Sequence, residues 1–226
     1  MHTIIAADGI EYGLLQEEDA EAMARLLAKV FSELEPMGRA VRIPCEQVER
    51  LVKTFVPKAL TEQLTILARD ASSSRLVGAM LADDLGTDGP TGLDEAAPQF
   101  APIGSLLGVL DEEYRAVTTV TKGTHAHMFM VGVEASSQLR GIATRLVETC
   151  IANAAADGYK TAVTEATGSV SQHVFRKLGF VDRFQVLYQE FTFDGQRVFS
   201  SIEGVDGTVL MTRELSDRSS SSVRFA

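Results

Sequence analysis

Three groups of residues in this chain have types and spacings that can do chemistry. The first is Gln138-x-x-Gly141-x-Ala143, at the junction of an apolar run and an amphipathic stretch. Missing or small side chains there let a ligand reach the backbone. The free N–H groups of a helix's first turn, with the helix dipole behind them, bind phosphate. The second group is His125-Ala-His127. Alternating histidines on one strand face can ligate a metal, but no third ligand is in reach, so a packed or exposed imidazole is the ordinary reading. His173, further on, is suited to moving protons near neutral pH and is expected to face solvent. The third group is Glu134 and Glu165, each following a core strand, where a carboxylate can order a water or an amine or simply be solvated. Cys45 and Cys150 have no motif spacing and read as unpaired thiols in a reducing cytosol. Glu35, beside Pro36, reads as solvated from its residue type alone.

These residues need elements to hold them. Met128 to Val133 is a continuous apolar run, as in a strand buried on both faces. It turns through Glu134–Ser137 into a helix whose apolar face carries Ile142, Leu146, Val147, Cys150 and Ile151. Before it, the spacing predicts a strand over Ile10–Leu15 and a helix with Met23, Leu26, Leu27 and Val30 inward, stopping near Phe31–Pro36. A second helix is predicted over Cys45–Thr54, then a hairpin of Leu64–Arg69 and Leu76–Ala82 around Asp70–Ser74. Asp83–Pro102 is loop-like, a substrate lid or an insertion, and Ile103–Val117 reads as a helix. After the central helix come a strand at Tyr159–Thr164, a helix at Ser171–Leu178, and strands within 181–193 and 208–214. Residues 1–215 are expected to form a single domain, with 216–226 a polar, Ser-rich tail.

The strand ending in Val133, followed by Gln-x-x-Gly-x-Ala, resembles the signature of the GNAT acyltransferase superfamily, and the Lys177-Leu-Gly-Phe180 ending matches the close of that family's second motif. The resemblance implies an α/β fold with a central, mostly antiparallel sheet of six to seven strands, one parallel splayed pair, and flanking helices. It implies acetyl-CoA as co-substrate, its pyrophosphate held by Gln138, Leu139, Arg140, Gly141, Ile142, Ala143 and Thr144. The pantetheine arm is expected along Val131, Gly132 and Val133. A narrower resemblance, covering most of the chain loosely, is to insect-type arylalkylamine N-acetyltransferases. Phe31-Ser-Glu-Leu-Glu35-Pro36-Met37, Glu165-Ala-Thr-Gly168-x-x-Ser171, Tyr188-Gln-Glu-Phe191, Gly195 and Val198-Phe199 carry it. By that likeness Glu35 is a general base acting through water and Ser171 takes part in the site. Ser171 reads equally well as a helix cap. One departure stands out: where many family members place a Tyr acid, this chain has Phe175.

Composition narrows the partners. A net charge of −10 argues against nucleic acid and is compatible with a cationic substrate. No apolar run reaches the roughly 18 residues of a membrane span. The N-terminus lacks a basic segment before an apolar one, so a cytoplasmic protein is expected. The reading is a transfer of acetyl from acetyl-CoA to a small arylalkylamine- or polyamine-like primary amine, without metal or covalent acyl-enzyme, compatible with a homodimer. A catalytically silent acyl-CoA-binding module and a protein-lysine acetyltransferase stand beside it.

Overall fold

A computed structural model describes residues 5–215, so the expected tail at 216–226 lies outside the described residues. Eight strands form one sheet in the order β1-β2-β3-β4-β5-β6-β8-β7. They are β1 (Ile5–Ala7), β2 (Ile10–Leu14), β3 (Ile66–Asp70), β4 (Leu76–Asp84), β5 (His125–Val133), β6 (Thr161–Ala166), β7 (Val181–Leu187) and β8 (Gly207–Glu214). All neighbours are antiparallel except β5 and β6. The count exceeds the expected six to seven because Asp8 and Gly9, both at positive φ, turn β1 back onto β2. The predicted hairpin of β3 and β4 is closed by the Asp70 carboxylate, which accepts hydrogen bonds from Ser72 and Ser73.

Helices cover both faces. On one side lie α1 (Ala20–Leu34), the short α2 (Pro36–Ala40) and α3 (Cys45–Glu62). Met23, Leu27, Leu51, Val52 and Phe55 pack there on Leu67, Ala79 and Met130. On the other side α6 (Ile142–Ala156) buries the apolar stripe read from the sequence, with Leu146, Val147 and Cys150 against Val77, Met80 and Met128. Among the described residues no helix is long and apolar enough to cross a membrane.

Two expected boundaries move, for physical reasons. Helix α3 continues past Thr54 and through Pro57, because its buried face does not end there: Phe55 and Ala59 are still inward. An internal proline costs about 3 kcal/mol, which burial of a large side chain such as Phe55 offsets at about 2–3 kcal/mol. The segment 83–102 is not one loop. Strand β4 runs to Asp84, and a helical turn α4 (Leu93–Ala96), a 3-10 turn at Pro98–Phe100 and the start of α5 (Ala101–Val117) occupy much of the rest. The last helix, α7 (Ser169–Lys177), leads into β7. Where β7 meets β8, a Cβ on Gly207 would lie 2.1 Å from the Val186 carbonyl oxygen. Because that neighbour is backbone, Gly207→Ala should lower stability by about 3 kcal/mol, read as a lower urea midpoint at unchanged slope.

Candidate active site

The turn between β5 and α6 has the geometry of an anion cradle. After a 3-10 turn at Ala135–Ser137, Leu139 and Gly141 both take left-handed backbone angles, φ 62° and 74°. Gly141 is the N-cap of α6 and no side chain caps the helix. The amides of Ile142, Ala143 and Thr144 therefore open the first turn without an intrahelical partner. Leu139, Arg140 and Gly141 are exposed, and a Cβ on Gly141 would meet nothing within 4 Å. The backbone, rather than steric crowding, makes this a glycine position.

The two central strands part beside this turn. β5 and β6 pair at His125–Thr161, Ala126–Ala162 and His127–Val163, and then stop. β5 runs on to Val133 and β6 to Ala166 without pairing to each other, while the Thr164 hydroxyl donates to the Met128 carbonyl at 2.8 Å. The backbone of Val131, Gly132 and Val133 is thus left open on its β6 side. On the other side of β5, Leu81 pairs with Met130 and Ala82 with Met128, which leaves Phe129 as a β-bulge. Such a bulge re-aims the side chains around it. Helix α1 crosses closely here: a Cβ on Gly132 would lie 3.0 Å from Leu27 Cδ2.

Glu35 stands across the gap. It is the N-cap of α2, with Pro36 at the first helical position, and its carboxylate accepts from the amides of Met37 and Gly38. Gly38 makes room for it, since a Cβ there would lie 2.9 Å from the Phe31 carbonyl and 3.2 Å from Glu35 Oε2. Burial pushes the Glu35 carboxyl above the usual carboxylate range, against the opposing pull of the Gly38 amide, the Thr167 hydroxyl and the Met37 amide. The solvated Glu expected from residue type alone is instead half-buried at the end of a largely apolar cleft. Its walls include Phe31, Phe100, Phe129, Leu107 and Ile103, and its polar lining is Glu35, Glu165 and Thr167.

Glu165 and His127 differ from their ordinary readings. His127 lies between two carboxylates, Nδ1 at 2.9 Å from Asp83 Oδ1 and Nε2 at 2.8 Å from Glu165 Oε2. Burial opposes charge on the ring, but Glu165 and Asp83 outweigh it and hold the imidazole well above its usual range. Asp83 continues to Lys58, 3.6 Å away, and Lys58 to Glu62 at 3.0 Å. His125 turns elsewhere: its Nδ1 is 2.7 Å from the Thr124 hydroxyl, and burial lowers its pKa. Among the described residues no group of three or more His, Cys, Asp or Glu is placed to hold a metal. His173 is exposed, and Glu134 pairs with Arg75 at the surface. Cys150 is buried, its thiol pushed up to about 12, whereas Cys45 is exposed.

Ser171 is brought near the site but is held in its helix. Its hydroxyl accepts from the Gly168 amide at 3.1 Å and donates to the Gly168 carbonyl at 2.9 Å, at the N-terminus of α7. Gly168 in turn faces Pro36, 3.3 Å from where its Cβ would be. Phe175 is buried edge-to-face against Phe180. Two site residues escaped the sequence reading, Asp83 and Thr167. Asp83 sits at a strand end that reads as loop, and Thr167 is fixed by the Tyr188 hydroxyl, which donates to its carbonyl at 2.6 Å across 21 residues.

Comparison with known proteins accords with this arrangement. The sequence model of the Acetyltransferase (GNAT) family matches residues 63–180, more than half of the chain. That span includes the cradle, the splayed strands and Ser171, and excludes Glu35. No curated protein matches. Among solved structures, the C-terminal condensation domain of Ebony, in complex with beta-alanyl-dopamine, superposes with a TM-score of 0.83 at 14% identity, covering 91% of this chain and 98% of that one. Arylalkylamine N-acetyltransferase 2 from Aedes aegypti gives 0.77 at 19% identity over 92% and 100% of the two chains. A polyamine N-acetyltransferase from Drosophila melanogaster gives 0.70 at 18% identity over 91% and 100%. At these identities the likeness is one of fold.

Proposed function

Because this chain belongs to the acetyltransferase (GNAT) family, whose members use acetyl-CoA, we propose that it acetylates the primary amine of a small arylalkylamine-like molecule by direct attack in a ternary complex, with Glu35 as general base. The observation that carries this reading is the placement of the Glu35 carboxyl, its pKa raised by burial, at the end of a cleft walled by Phe31, Phe100 and Phe129 that borders the unpaired part of β5. An aromatic amine fits apolar walls better than a polyamine does, whose several charges would each lose water there. A polyamine-like acceptor is the second choice.

The roles follow from chemistry. The cradle at Gln138–Thr144 holds the pyrophosphate, and the open backbone at Val131–Val133 aligns the pantetheine arm. Glu35, directly or through water, takes one proton from the ammonium. The amine nitrogen then attacks the thioester carbon, so that a C–N bond forms as the C–S bond breaks. The second nitrogen proton ends on the departing thiolate, or in solvent. Phe175 cannot donate it. Ser171 tightens the Gly168 turn behind Thr167, which hydrogen-bonds Glu35. Ser171→Ala should therefore cost about 1 kcal/mol of stability, measured by denaturation, and reduce kcat less than Glu35→Gln does.

The test is CoA release from acetyl-CoA by the purified protein over arylalkylamines, polyamines, amino sugars and lysine peptides. Turnover concentrated on arylalkylamines supports the proposal. Acetyl-CoA binding without turnover on any of them overturns transfer and favours a silent acyl-CoA-binding module, the reading that Phe175 supports. Absence of acetyl-CoA binding would remove the cofactor assignment itself.

A further inference from the structure

The reaction as written leaves one buried carboxylate of the cleft without a task. The side chain of Glu165 is 7% exposed and lines the cleft with Glu35. Its Oε2 accepts from His127, and its other oxygen takes no hydrogen bond from the described residues. A carboxylate withdrawn from water is costly unless its charge and lone pairs are met. The chain of ion pairs behind it engages one oxygen, and the other is open to the cleft, since among the described residues no buried side-chain oxygen lacks a partner. Glu62, Asp83 and Glu165 bring three negative charges, and Lys58 and His127 bring two positive ones. One negative charge is left over, and the unused oxygen at the cleft end of the chain is where a cation can reach it. Glu35 does not fill that need: it is itself an acid, and its oxygens already accept amide hydrogens.

The supporting residues hold this carboxylate in one orientation. His127 is fixed from behind by Asp83 at 2.9 Å, and its ring lies 5.6 Å from that of Phe129, which stacks on Phe55 at 4.8 Å. The register places Asp83 and His127 as direct partners across β4 and β5. Since both ring nitrogens face carboxylates, the trio forms a line rather than converging on a point, which suits an organic cation at its end and not a metal ion. We propose that Glu165 binds the ammonium of the acceptor amine in the cleft, and that His127 and Asp83 are positioning residues that aim its free oxygen. This rests on the amine-acceptor reading above and adds a division of labour to it: Glu165 recognises the charge, Glu35 removes the proton.

The experiment compares the best acceptor of the amine panel with the alcohol that carries hydroxyl in place of its amino group. In Glu165→Gln the amine KM should rise about 10- to 100-fold, the loss expected for a charge-assisted hydrogen bond, while the inhibition constant of the uncharged alcohol changes less than about threefold. The acetyl-CoA dissociation constant should stay as in the unmutated protein. His127→Gln should move amine KM in the same direction by a smaller factor, again sparing the alcohol. A purely structural defect would weaken amine and alcohol alike. On the unmutated protein, saturation with the amine should shift the imidazole NMR resonances of His127, and saturation with the alcohol should not; this readout needs no variant to fold. If the amine turns over but Glu165→Gln keeps its preference over the alcohol, or His127 does not respond to the amine, the assignment of Glu165 is overturned and the acetyltransferase reading survives. If acetyl-CoA binds and no amine is acetylated, both fall together.

Discussion

Glu35→Gln should lower kcat by about 10²- to 10⁴-fold, the range for loss of a positioned general base, and leave acetyl-CoA affinity within a few-fold. The two effects separate because Glu35 sits in the cleft at the α1–α2 corner, whereas the cradle is built from the β5–α6 turn. The pH profile gives the sharper reading. The base works only when ionised, so kcat/KM of the unmutated enzyme should rise with pH as Glu35 loses its proton. Burial raises that pKa above the carboxyl value of 4.5, so the ascending limb should lie higher than an exposed Glu would place it. The free ammonium loses its proton only near about pH 10, well separated from this limb. In Glu35→Gln the limb should vanish. Gln also disturbs the cap: its amide group faces the N–H of Met37 or Gly38, so α2 should lose about 1 kcal/mol. Denaturation must therefore accompany the kinetics, with Glu35→Asp retaining the charge as the control. A variant that keeps kcat within tenfold, or keeps the same limb, removes Glu35 from the base role.

How much of this could be read from the chain depends on sequence distance. The cradle was legible because strand, turn and helix start are contiguous, and one run from Met128 to Val147 contains them all. The stripe of α6 was legible for the same reason. Glu35-Pro36 carries a local signal, an acceptor followed by proline at the first helical position, yet a five-residue helix has too few turns to show a period. The line Asp83–His127–Glu165 carries no local signal. Its members stand 44 and 38 residues apart and meet only because β4, β5 and β6 are neighbours in the sheet. Read singly, each is a polar residue at a strand end, for which exposure is the sound expectation. Lys58 reaches Asp83, and Glu62 reaches Lys58, only because α3 runs through Pro57, where a local rule ends the helix and the buried face of Phe55 and Ala59 prolongs it. The splay of β5 and β6 is likewise a matter of which backbone pairs do not form, and side-chain identities do not encode that directly.

Gly141→Glu should abolish measurable acetyl-CoA binding, and two independent terms argue for it. The backbone at Gly141 is left-handed, φ 74°, and a residue with a Cβ pays about 1–2 kcal/mol to remain there. If it does not remain, the N-cap of α6 moves and the amides of Ile142, Ala143 and Thr144 lose their common aim. The second term is charge. The site attracts phosphate through free N–H groups and the positive end of a 15-residue helix, and a carboxylate at the N-cap would occupy those same donors as an internal anion. Gly141→Ala separates the terms, since it adds the strain without the charge. It should weaken acetyl-CoA by about tenfold, the equivalent of the conformational cost, and not eliminate binding. Open space around Gly141 excludes a clash within the protein as the cause, because nothing lies within 4 Å of where the Cβ would be. Both variants should remain folded, because the helix dipole offsets part of that strain for the charged one, so that a Tm lowered by only a few degrees together with lost binding is the expected pair of results. Calorimetric titration with acetyl-CoA measures it. Retained binding in Gly141→Glu would place the pyrophosphate away from the start of α6, and with it the whole alignment of the thioester against Glu35.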